Sequence, residues 1–200
     1  MRLLLTTALV TCLPALALAA EDGHTELGAH EHGAGVFNVA IEGKTVSMEL
    51  ESPGADIVGF EHAAKSDKDK AAIEAAKATL KDLAKVVALP AAAGCKLAAA
   101  KVELHSEGGD HDDHDHGKKA EKHDDHDHGK HAEEEGGHTE FHAEYQLNCS
   151  RPESLTGFSF AYFDTFQNAR ELEVSIAGPS GQKRLEATRD NNRVDLGGIM

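Results

Sequence analysis

Histidine and aspartate alternate in a phrase that occurs twice: His111-Asp112-Asp113-His114-Asp115-His116-Gly117-Lys118 and, twelve residues on, His123-Asp124-Asp125-His126-Asp127-His128-Gly129-Lys130. Imidazole and carboxylate are the donors a borderline divalent ion such as Zn2+ takes, and a polar segment containing Gly lets them swing together onto one ion. Ten of the fourteen histidines lie between His105 and His142. The candidate ligands here are His105, His111, His114, His116, His123, His126, His128, His131, His138 and His142, with Asp113 and Asp125 as carboxylate partners.

The same stretch is almost free of apolar residues, and it sets four Lys against thirteen acidic residues between His105 and Glu140. It cannot bury enough surface to offset its ordering entropy, so residues 106–138 are expected to be a disordered loop that an ion would organise. A solvated acidic spacer is the bland alternative, but histidine is an uncommon choice for solubility and the repeat keeps its histidine positions. Protonated imidazole cannot ligate, so affinity should fall as the pH drops through about 6.5. Ni2+ and Cu2+ also accept imidazole, whereas Ca2+ asks for a denser oxygen cage and has no use for the histidines.

The ends and the cysteines place the chain. Met1-Arg2, the apolar run Leu3 to Leu18 and the close Ala17-Leu18-Ala19 read as a secretory signal over residues 1–20, cut after Ala19 or Ala20. Losing Arg2 moves the formal charge from −15 to −16, and losing Cys12 leaves Cys95 and Cys149, an even count that favours one disulfide in an oxidising compartment. The acidic balance argues against nucleic acid and anionic membrane, and no further stretch is long enough to span a bilayer. The expectation is a secreted protein with no membrane insertion. A monomer is expected, with a metal-linked dimer as the alternative.

The elements that must position the histidines are legible in outline. Phe37, Val39 and Ile41 alternate, and so do Val46, Met48 and Leu50 after the turn at Glu42-Gly43-Lys44, which predicts a half-buried hairpin. Ser66 with Asp67 and Asp69 starts a helix expected from about Asp67 to Ala88, with Ile73, Ala76, Leu80, Leu83 and Val87 on one face and Pro90 as its stop. Leu97, Val102 and Leu104 belong to one strand, and Phe141, Ala143, Tyr145, Leu147 and Cys149 to another. Pairing them with Cys95 opposite Cys149 gives residue numbers that sum to 244 across the ladder, which sets His105 opposite Thr139. The disulfide then staples a hairpin whose tip is the loop, contributing about 3 kcal/mol. Short strands around Leu155 to Phe160, Glu171 to Ala177, Gln182 to Thr188 and Arg193 to Leu196 complete about eight, and the aromatics from Phe158 to Phe166 are expected in the core. Residues 21–200 thus read as a single α+β domain, a mainly antiparallel sheet with one amphipathic helix and the His/Asp-rich loop inserted in a hairpin.

Outside the loop stand His24, His30-Glu31-His32-Gly33 and Gly59-Phe60-Glu61-His62. An HxH pair on extended chain projects both imidazoles to one side, so one more ligand closes a site; His62 is the candidate, with Glu61 as its alternate. These pieces, with Val39-Ala40-Ile41-Glu42-Gly43, Leu50-Glu51-Ser52-Pro53, Phe163-Asp164-Thr165-Phe166 and Glu171-Leu172-Glu173-Val174, resemble the ZrgA-type periplasmic zinc-binding proteins over nearly the whole mature chain. The resemblance implies zinc acquisition alongside an ABC-type importer or another periplasmic metal-binding protein, and an ordered site carried onto His30, His32 and His62. It implies no catalysis, and no HExxH helix or activated nucleophile stands out in the sequence. The alternatives are a sink that protects the envelope from excess zinc, nickel or copper, a zinc hydrolase on a three-histidine site, and a structural envelope module.

Overall fold

The computed structural model describes residues 32–106 and 138–200. In chain order these form β1 (Ala34–Glu42), β2 (Thr45–Pro53), α1 (Gly54–Ile57), α2 (Asp67–Lys81), β3 (Val87–Ala88), β4 (Cys95–Ser106), β5 (Thr139–Cys149), β6 (Gly157–Phe160), α3 (Tyr162–Thr165), β7 (Glu171–Gly178), β8 (Gly181–Thr188) and β9 (Arg193–Asp195). The N-terminal apolar segment, His24, His30 and the two His/Asp phrases lie outside the described residues.

Alternation writes the first hairpin. β1 and β2 pair antiparallel with Phe37 opposite Leu50, Val39 opposite Met48 and Ile41 opposite Val46, and all six side chains are buried on one face. β5 adds to the other side of β2, and its Phe141, Ala143, Tyr145, Leu147 and Cys149 continue the same buried face. The full sheet runs β4-β5-β2-β1-β7-β8, with β1 and β7 its parallel pair. A small antiparallel sheet, β3-β6-β9, completes the α+β fold.

The core lies between these sheets and α2. Phe37 meets Phe160 edge-on at 5.0 Å, and Phe158, Phe160, Tyr162, Phe163 and Phe166 are all buried, so the late aromatic cluster is core. The two buried phenols are satisfied: Tyr145 donates to the Leu80 carbonyl at 2.7 Å, and the Tyr162 and Ser52 hydroxyls share a bond of 2.7 Å. Arg189 donates to the carbonyls of Phe163, Gln167 and Ala169, clamping the turn that delivers the chain to β7. Among the described residues no helix is long and apolar enough to cross a membrane.

Two sequence expectations shift. α2 begins at the expected capping box, with Ser66 Oγ accepting from Asp69 N at 3.1 Å, but it ends at Lys81 and not near Ala88. Asp82 is extended, and its carboxylate accepts from Ala84 N at 3.2 Å, turning the chain into a single 3-10 turn that still buries Leu83. Val87 then enters β3 opposite Phe160.

The second shift is in the stapled hairpin. Cys95 and Cys149 are opposite and disulfide-bonded, as expected, and the pairing sum is 244 as far as Leu97 opposite Leu147. A β-bulge between Leu97 and Ala99 then inserts one residue into β4, so that His105 faces Glu140 and not Thr139. Because side chains alternate with period two, that single residue decides the face His105 shares: it joins Glu140 and His142, away from the core.

Candidate metal centre

Three separated pieces of chain meet on one carboxylate. Glu61 Oε2 lies 3.1 Å from His32 Nε2 and 3.0 Å from His138 Nδ1. His32 comes from the turn that enters β1, Glu61 from the loop between α1 and α2, and His138 from the residue that precedes β5. Glu61 is largely covered, with 13% of its side chain exposed, whereas both histidines are more than half open to solvent. Burial pushes the Glu61 carboxyl up, but the hydrogen bonds from His138 and His32 and the charge of His32 outweigh it, so Glu61 sits below its usual value and is ionised at neutral pH. Both rings must therefore donate an N–H to the same oxygen.

The loop that carries Glu61 is held against the start of β5 by close backbone packing. A Cβ on Gly54 would run into Thr139 Oγ1 and approach the Phe60 carbonyl oxygen to 2.8 Å, so only glycine lets these segments touch. Gly33 has φ +96°, where a side chain is strained, and its N–H donates to Asp56 Oδ1 at 2.8 Å. Its carbonyl accepts from Arg170 N and Glu171 N, both at 2.9 Å, which ties the His32 turn to the start of β7.

Asp56 sits beneath this cluster, 3% exposed, and its Oδ2 has no hydrogen-bond partner among the described residues. Burial pushes its carboxyl up to about 6, against the lowering effects of the Gly33 N–H and the charges of His32 and Arg170, which do not offset it, while the Glu61 charge adds to the rise. A buried, half-satisfied carboxylate is costly unless a cation faces it. The donor set of two imidazoles and one carboxylate, with a second carboxylate beneath, suits Zn2+.

Among the described residues no group of three His, Cys, Asp or Glu side chains already stands in the arrangement that grips an ion. The separations around Glu61 are nonetheless close to the edge of a zinc tetrahedron, about 3.3 Å for bonds of roughly 2.0–2.1 Å. Exchanging two N–H···O bonds for metal bonds requires only a small opening of exposed histidines.

His62 is engaged elsewhere: its ring stacks on Phe60 at 4.7 Å, and its Nδ1 lies 3.2 Å from the Ala63 carbonyl. Glu61, the alternate at that step of the sequence, takes the position beside His32. His105 and His142 form a second group on the outer face of β4 and β5. Their rings lie 4.3 Å apart at a tilt of 34°, His142 Nε2 is 2.6 Å from Glu140 Oε2, and His105 Nε2 is 3.7 Å from Glu103 Oε2. The hydrogen bond to Glu140 outweighs burial and raises the His142 pKa, helped by the charges of Glu140, Glu51 and Glu49. His30, His111, His114, His116, His123, His126, His128, His131, Asp113 and Asp125 fall outside the described residues.

Sequence spacing did not single out Asp56, which stands in one helical turn after Pro53-Gly54. Nor did it pair His138 with Glu61, since 77 positions separate them and only the fold closes that gap.

No curated protein matches the sequence. The family model described as ZrgA family zinc uptake protein matches residues 29–196, which includes both histidine groups, the whole sheet and the intervening His/Asp repeat. This chain therefore belongs to the ZrgA family of zinc uptake proteins.

Proposed function

We propose that this chain captures Zn2+ in the periplasm at an ordered site of His32, Glu61 and His138, and passes it to an ABC-type importer or to a binding protein that serves one. The observation that carries the reading is Glu61, which gathers two histidines from distant parts of the chain onto one oxygen at the very point where the His/Asp-rich segment re-enters the fold. His30 is two residues from His32 and is the natural fourth donor. The repeat phrases supply surplus, interchangeable ligands, so an ion held there exchanges stepwise and can move down to His138. Family membership supports zinc as the cargo. Binding is the role this reading assigns to the donor set, with family membership as its support.

Calorimetry and native mass spectrometry on the mature protein, beside a form lacking residues 107–137, test this. One tight ion retained by the shortened form, with several weaker ions lost, supports an ordered site fed by the repeat. Loss of all binding would make the repeat the whole site and the protein a buffer. Transfer of zinc to an importer's metal-free binding protein, and synthesis under zinc starvation, separate delivery from a sink, which would be made in zinc excess and would not transfer.

A further inference from the structure

We propose that Glu103, His105, Glu140 and His142 form a second Zn2+ site, on the outer face of the sheet where the His/Asp-rich segment leaves β4. The inference rests on zinc as the cargo, but not on the site at Glu61.

The pattern begins in the sequence. β4 and β5 each carry the phrase Glu-x-His, at Glu103 to His105 and Glu140 to His142, and residues two apart on a strand share a face. The antiparallel register after the bulge sets Glu103 opposite His142 and His105 opposite Glu140. The result is a two-by-two block in which each histidine has a glutamate beside it along the strand and another across from it, with side chains at the spacing of directly opposed pairs. Without the bulge, the phrases would be offset and His105 would share a face with Thr139.

A simple His142–Glu140 hydrogen bond explains the 2.6 Å contact but not the rest of the block. It accounts neither for a second imidazole 4.3 Å away nor for the turn of that ring's Nε2 towards Glu103 at 3.7 Å. Two imidazoles and two carboxylates supply four donors; Glu103 Oε2 is held by Lys101 Nζ at 2.8 Å in the metal-free protein, an exposed ion pair that zinc must displace. Ca2+ would leave the imidazoles unused.

The block is half covered and half exposed. Glu140 and His142 are 6% and 22% exposed in their side chains, while Glu103 and His105 are 48% and 49% exposed and have room to rotate. A site that closes by moving only its exposed half loads and releases readily. Its place matters as well: His105 stands at one foot of the 107–137 segment and His138 at the other, so ions carried by the repeat meet a ligand set at each root.

Residue-resolved histidine footprinting with diethyl pyrocarbonate, read by mass spectrometry on the full mature protein with Zn2+ alone, tests the site. His105 and His142 should become protected together as zinc is added, and Glu140→Gln should weaken the zinc dependence of that protection by about tenfold while leaving His32 and His138 unchanged. Reactive His105 and His142 after the other histidines are saturated would overturn the inference, as would joint protection indifferent to Glu140→Gln. Protection of His105 and His142 with none at His32 and His138 would support this site and remove the one at Glu61.

Discussion

The metal-free protein should lose stability as the pH rises from about 4 to about 7, and Asp56 should be the largest single cause. Its carboxyl is pushed from 3.8 up to about 6 in the fold. A carboxyl that ionises more easily unfolded than folded contributes its stability below the unfolded value and loses it as the pH climbs through the folded one. The rise of about 2 units corresponds to roughly 3 kcal/mol. Solvent at the open histidines beside it screens part of this, so the figure is an upper bound. Asp56→Asn keeps an acceptor for the Gly33 N–H and removes the titration. Urea unfolding of zinc-free wild type and variant at several pH values should give curves that diverge in the variant's favour by up to that amount between pH 4 and 7. Zinc at the cluster above should shrink the divergence, because a cation there favours the ionised carboxylate. Two stability curves that stay parallel across this range would refute the reasoning, whatever their absolute offset.

Three other outcomes follow from the same geometry. Glu61→Gln should weaken the tightest zinc step by at least tenfold, about 1.4 kcal/mol, in calorimetry, with little change in unfolding midpoint because the two histidines it holds are exposed. Gly54→Ala should cost about 1–3 kcal/mol in chemical unfolding, since the new methyl meets Thr139 and the Phe60 carbonyl, and it should also lower zinc affinity by moving Glu61 off His138. Replacing Cys95 and Cys149 by Ser should cost about 4 kcal/mol, the chain-entropy value for a cross-link spanning 54 residues, while leaving the tight zinc step in place in the folded fraction.

The strands were legible wherever one face is buried, because alternation is then enforced residue by residue: Phe37 to Ile41, Val46 to Leu50 and Phe141 to Cys149 all read correctly. The disulfide followed from an even count and a shared register. What the residues could not disclose is the bulge near Ala98, in a run of three alanines where no side-chain pattern marks the extra residue. The end of α2 was hidden for a related reason: Leu83 and Val87 keep helical spacing but are buried by a 3-10 turn and a strand. At the candidate site, His32 was visible through its HxH phrase and Glu61 as an alternate. The pairing with His138 and the buried charge of Asp56 arise only from close approach of Gly33 and Gly54 to their neighbours, which composition and periodicity do not encode.

The central claim is that His32, Glu61 and His138 close around one zinc ion. Anomalous diffraction at the zinc edge, from crystals of residues 21–200 loaded with one equivalent, addresses it directly. The account predicts a single strong peak at roughly 2.0–2.2 Å from His32 Nε2, Glu61 Oε2 and His138 Nδ1. Ordered zinc elsewhere, with the Glu61 hydrogen bonds to both histidines intact, would contradict it.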